Sequence, residues 1–211
     1  MENTLINRKQ GYILILITIL VGLSYQLLPY VFLNVAVLEI VGMYFNVVIM
    51  FIVLLLLLKN EFLDWFKHFS FKWLLIGIPF LFIVGLLVGR LWSIMAGGHT
   101  GNSVENVLSW SYVIKHIPFM LMGEELLSIA VLYAAWKKLG WKFWQATLLC
   151  SVLFAVWHLP AYDYNLLQCL FTIIPSRLIL NYLFKKSNSV WVTWLVHMSF
   201  DIISFLPILL R

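Results

Sequence analysis

The chain has 211 residues, 63% of them hydrophobic and only 11% charged, against roughly 45–50% and 25% in an ordinary soluble domain, which excludes a water-soluble globule. Its 14 Lys and Arg exceed its 9 Asp and Glu, for a net charge of +5. The cations fall between apolar runs and form no basic stripe with interleaved polar residues, so the excess reports membrane topology and excludes a nucleic-acid partner.

Taken in chain order, the segment Met1 to Gln10 carries Arg8 and Lys9 and precedes an apolar run reaching Leu33. That run exceeds the roughly 7–15 residues of a signal-peptide core and is expected to be a retained first span. A bilayer core of about 30 Å needs about 20 apolar residues at 1.5 Å each. Seven stretches meet this need, at 11–33, 36–58, 73–96, 110–135, 143–160, 166–184 and 190–210. Between spans two and three, residues 60–71 mix aromatic and charged side chains. They read equally as a segment lying along the inner membrane face or as a hydrophilic hairpin with aromatic anchors. Gly85 and Gly89 make a GxxxG in span three, which permits close helix contact but specifies no dimer. The loop Gly97 to Ser103 reads as an ordinary connector, with gating of access from the membrane or outer side as the alternative.

The connections test this parse. Arg8, Lys9, Lys59, Lys67, Lys72, Lys137, Lys138, Lys142, Lys185 and Lys186 all fall on one set of alternating connections, and the other set holds no cation between spans. The positive-inside rule then gives seven helices with a cytoplasmic N-terminus and an outer C-terminus. The final residues, Ile208-Leu209-Leu210-Arg211, carry no CaaX box of the chain's own. Cys150 and Cys169 lie in apolar stretches without metal-ligand or CxxC spacing and are expected to pack as small hydrophobes.

Ionisable groups inside spans cost on the order of 2.5–3.5 kcal/mol each at a helix centre, so they are read first as functional. Span four places Glu124 and Glu125 about 12 residues, roughly 18 Å, from its inner end, too deep for both to snorkel. Neighbours on a helix diverge by about 100°, so the two acids face different surroundings and do different work. In span five Phe154 and His158 lie one turn apart, and in span seven His197 and Asp201 do the same. Two histidines and several carboxylates in a dry bundle can polarise a water, which is hydrolytic equipment. His68, His99 and His116 lie in or near connections and are assigned nothing.

The ordered set EE at 124–125, FxxxH at 154–158 and HxxxD at 197–201 resembles the CPBP family, also called Abi: type II CAAX prenyl endopeptidases and bacteriocin-processing or immunity-associated proteins. The resemblance covers about residues 110–205 and includes the run Ser189 to His197. It implies an all-α integral membrane protein, a CAAX-protease-like bundle with a buried polar cavity. Residues 110–211 would be the catalytic core and 1–109 an N-terminal unit of three spans. It also implies an intramembrane endopeptidase in which Glu124 acts with His158 on the attacking water, His197 and Asp201 support the oxyanion or the water, and Glu125 orients its neighbours. The family is described both as metalloproteases and as metal-free glutamate proteases. The residues allow either: zinc, if used, would sit on Glu124, His158, His197 and Asp201, and a metal-free site is preferred.

One departure stands out, since the family pattern EExxxR has Ile129 here in place of the arginine. Arg90 or Arg177 reaches Glu125 from another helix, or Glu125 is protonated. The implied partners are a peptide or membrane-protein substrate and the lipid bilayer of a bacterial plasma membrane, serving peptide maturation or bacteriocin self-immunity. Ile129 also motivates the alternative of a catalytically inactive immunity or regulatory protein that binds a partner. Proton-coupled transport also uses buried Glu and His, but no inverted repeat or paired broken helix supports it.

Overall fold

The computed structural model describes the backbone of residues 2–211 and the side chains from residue 7; Met1 of the N-terminal segment lies outside the described residues. The described chain is helical throughout: α1 (Glu2–Val31), α2 (Val35–Leu58), α3 (Asn60–Lys67), α4 (Phe71–Ala96), α5 (Trp110–Lys115), α6 (Ile117–Tyr133), α7 (Phe143–Trp157), α8 (Leu166–Ser187) and α9 (Val190–Leu209). Six of these are long and apolar enough to cross a bilayer, and α7 is a shorter apolar helix of 15 residues. This is an all-α membrane protein.

The helix ends follow local chemistry. Asn34 caps α2, Ser109 caps α5, Asn165 caps α8 and Ser189 caps α9, each accepting a backbone N–H of the first turn. The expected span 110–135 is two helices, α5 and α6, with the break at His116. Pro118 in the first turn of α6 has no N–H to continue the preceding helix, and its ring disfavours a straight run. At the other end α6 runs on through a π-helical turn, Ala134–Lys138, past the expected boundary. The expected fifth span closes early at Trp157, and a 3-10 turn, Leu159–Tyr162, holds Pro160.

Residues 60–67 form an amphipathic helix that buries Phe62 and Trp65 completely or nearly so, while Leu63 and Lys67 stay outside. The aromatic side chains therefore belong to the core beneath α6 and α8: Trp65 meets Tyr133 and Phe184 at ring separations of 5.2 and 5.4 Å. Glu61 receives hydrogen bonds of 2.7 Å from both Lys138 Nζ and Tyr133 OH. Partial burial pushes the Glu61 carboxyl up, but these donors outweigh it and hold the group below the usual carboxylate range. This tie stabilises the fold above the ordinary carboxylate pKa and is lost as pH falls through the lowered one. Acid titration of thermal stability in detergent should therefore show a smaller loss in Glu61→Gln than in the wild type.

Seven helices close a ring. α1 packs on α2, α2 on α6, α6 on α9, α9 on α4, α4 on α8, α8 on α7, and α7 returns to α1. Two glycines set the tightest approaches. A Cβ on Gly123 would stand 2.7 Å from Asn46 Cβ and 2.8 Å from the Val47 backbone nitrogen. Gly123→Ala should thus cost about 1–3 kcal/mol by overpacking α2 against α6, read as a lowered thermal midpoint. Gly85 of the GxxxG is covered by Phe200 of α9, so its close contact is spent inside the chain, while space beside Gly89 stays open.

Candidate active site

The ring of helices encloses a cavity of about 890 Å³, within the range of about 300–1,000 Å³ typical of ligand pockets. Glu124, His158, His197 and Asp201 line it, together with Phe154 and Arg177. Three separate helices thus bring their polar groups to one space, from residues far apart in the chain. Glu125, the fifth residue singled out in the sequence, points away from the cavity into the packing between helices and is fully buried.

The two adjacent acids have the unequal surroundings that the helical turn requires. Glu125 is held on both oxygens by Arg177, Nη1 to Oε1 at 2.7 Å and Nη2 to Oε2 at 3.0 Å, and it also accepts from His197 Nδ1 at 2.9 Å. This is a bidentate, charge-assisted pair with both side chains 0% exposed. Arg177 is itself steadied by Asn181 Oδ1, which accepts from Nε at 3.0 Å, and Asn181 Nδ2 donates to Thr147 Oγ1 at 2.7 Å. The cation missing at position 129 is supplied from α8, and Ile129 is buried in the apolar core. Arg90, the other candidate, lines the cavity and makes no pair with Glu125.

Glu124 is different. Its Oε2 is buried without a hydrogen-bond partner and stands 3.6 Å from His158 Nε2. An unpartnered carboxylate oxygen in a dry bundle is costly unless something polar fills the gap. The orientation of His158 is fixed by its other nitrogen, which lies 2.8 Å from the Phe154 carbonyl, so Nδ1–H donates there and Nε2 faces Glu124. Phe154 is the common wall: its ring lies 4.4 Å from the His158 ring, 6.1 Å from the His197 ring and 5.2 Å from the Arg177 guanidinium. The FxxxH spacing therefore sets the Phe154 ring against both imidazoles, tilted to His158 and edge-on to His197, and beside the buried cation.

His197 donates Nδ1–H to Glu125 and presents Nε2 to the cavity. Asp201, one turn on, shares the cavity, with no ion pair to either histidine among the described residues. Among the described residues no group of three or more His, Cys, Asp or Glu side chains is placed to hold a metal ion.

Several neighbours of the site carry no motif. Tyr25 and Gln26 of α1 and Asn46 of α2 line the same cavity, and Asn46 Oδ1 is a second buried acceptor without a partner. The only sequence signal for them was polarity inside an apolar span. The loop expected to be a plain connector is a pinned roof: Gln168 accepts from Thr100 N at 2.8 Å, donates to Thr100 O at 2.7 Å and accepts from Trp92 Nε1 at 3.1 Å. Asn102 and Glu105 of this roof form a capping box and line the cavity. His99, assigned nothing from the sequence, also lines it. His116 pairs instead with Glu39 at 3.0 Å. Cys150 is buried as expected, with its thiol donating to the Ser128 carbonyl at 3.1 Å.

Comparison with curated proteins and with solved structures returns no match. Residues 106–203 match the family model described as type II CAAX prenyl endopeptidase Rce1-like. That segment holds all five motif residues and Arg177, and the apolar helices around it make an integral membrane protein. Residues 106–203 are thus similar to the Rce1-like CAAX endopeptidases, in keeping with the EE, FxxxH and HxxxD motifs this segment contains.

Proposed function

We propose that the protein is an intramembrane endopeptidase that hydrolyses peptide bonds with a water activated by Glu124 and His158. The observation that supports this most is the buried, unpartnered Glu124 Oε2 set 3.6 Å from His158 Nε2, with both residues lining the cavity. One water bonded to both groups satisfies the orphan acceptor and stands where a nucleophile is needed. In this reading the water adds to the peptide carbonyl and gives its proton to Glu124. The carbonyl oxygen takes the negative charge and receives a hydrogen bond from His197 Nε2–H, with the imidazolium balanced by Glu125 behind it. The proton then passes from Glu124 to the leaving amine as the C–N bond breaks. Glu125 and Arg177 do not touch substrate; they hold His197 in place.

Peptide maturation or self-immunity against a bacteriocin is the proposed setting. The inactive-protein alternative rested on Ile129, and with Arg177 paired to Glu125 no further observation favours it. The test is comparative sequencing of peptide termini from cells carrying the wild type or His158→Ala. New termini present with the wild type and missing with His158→Ala are expected, with equal amounts of both proteins in the membrane. Identical termini in the two would remove the proposal. Glu and His alone carry the chemistry in this account, so activity should survive prolonged treatment with a strong zinc chelator. Loss on chelation and recovery with zinc would contradict the metal-free mechanism.

A further inference from the structure

The cavity is closed at one end and open at the other. Its floor is Arg177, 0% exposed, and Leu127, 3% exposed, with the fully buried Glu125 and Asn181 packed behind them. Below them lies the apolar core of Leu126, Ile129, Leu132 and Cys150. At the opposite end the lining residues Pro29, Arg90, His99 and Ser103 are exposed. The roof loop narrows this mouth, held by Gln168 and by Asn165 Nδ2 on Thr100 Oγ1 at 3.2 Å.

The two ends of the bundle also differ in charge. Contacts in three dimensions collect the lysine-bearing connections at the floor end. Lys138 reaches Glu61, Lys185 lies 4.2 Å over the Phe143 ring, and Trp191 Nε1 donates to the Phe66 carbonyl at 3.0 Å. Lys59, Lys67, Lys72, Lys137, Lys142 and Lys186 lie in the same connections. The mouth end has Glu39, Glu105 and Asp163 against Lys115 and Arg211, with Arg90 inside α4. Clustered lysines in short connections between spans stay on the cytoplasmic side during insertion, so the floor faces the cytoplasm.

We propose that the cavity takes its peptide from the non-cytoplasmic face of the membrane, so the occupant is an extended segment of an exported or membrane-anchored polypeptide lying outside the cell. The volume of about 890 Å³ admits a short peptide stretch and no folded domain. The inference rests on the hydrolytic reading only in naming the occupant a substrate. The direction of access rests on charge and cavity shape.

The test is labelling of intact cells with a membrane-impermeant maleimide. The wild type is the blank, because Cys150 and Cys169 are both 0% exposed. Ser103→Cys at the mouth should label in intact cells at least ten-fold more than Asn60→Cys at the floor end, which should label only after lysis. Asn106→Cys and Gln145→Cys, exposed at the mouth and floor ends respectively, repeat the comparison should either first variant fail to accumulate. Labelling of the floor-end cysteines alone, or equal labelling of both ends in intact cells, overturns the proposal. Labelling needs no hydrolysis, so reversed accessibility would leave the Glu124 mechanism standing, and undiminished cleavage by a Glu124 variant would leave the access route standing.

Discussion

Arg177→Met should destabilise the protein by about 3–5 kcal/mol, because it strands a buried carboxylate that had two charge-assisted hydrogen bonds. The Arg177 and Glu125 side chains are both 0% exposed, and only His197 Nδ1 would stay bonded to the carboxylate. The size of the loss comes from the abandoned charge more than from the pair's own attraction, and a double variant separates the two. Glu125→Gln combined with Arg177→Met removes both charges and should recover a large part of the loss. Unfolding in detergent, followed by tryptophan fluorescence or thermal aggregation, reads the cycle. A double variant as unstable as Arg177→Met alone would show that Arg177 acts through packing against Phe154 and not through Glu125.

The second large effect is on catalysis. Glu124→Gln keeps the shape and volume of the side chain but removes the base, so turnover should fall by about 10²–10⁴-fold. Stability should hold or rise slightly, because the variant no longer buries a carboxylate whose Oε2 lacks a partner. This opposition between rate and stability separates Glu124 from Glu125, whose replacement should lower both. Cleavage of the peptides found by terminal sequencing, measured with purified protein in lipid vesicles, checks it. A loss of less than about three-fold in turnover would assign the proton transfer to another group.

The spans were legible because membrane insertion depends on summed apolarity, a local property. The expected 36–58, 166–184 and 190–210 lie within a few residues of Val35–Leu58, Leu166–Ser187 and Val190–Leu209. The fourth span was misread as continuous because hydropathy is blind to the break at His116, where Pro118 decides the backbone. The short helix at Asn60–Lys67 stayed ambiguous for the opposite reason: its aromatic and charged residues suit either a membrane surface or a hairpin. Only the burial of Phe62 and Trp65 against Tyr133 and Phe184 resolves it.

The site divides in the same way. Spacing of one turn places His158 with Phe154 and His197 with Asp201, so those pairs could be read from the chain. The partner of Glu125 could not, since Arg177 lies 52 residues away and the sequence offered Arg90 on equal terms. The roles of Tyr25, Asn46 and Gln168 were likewise invisible. Each depends on which helices the ring makes neighbours, and a single polar residue in an apolar span does not say which way it faces.

The most direct test of the central claim is an experimental density map of the protein in a lipid disc, detailed enough to show ordered water. The account predicts Glu124 and His158 next to each other in the cavity lining, with a water peak within about 3 Å of both, and Arg177 bidentate on Glu125 behind them. A map with Glu124 turned toward lipid, or paired with Arg177 in place of Glu125, would contradict it.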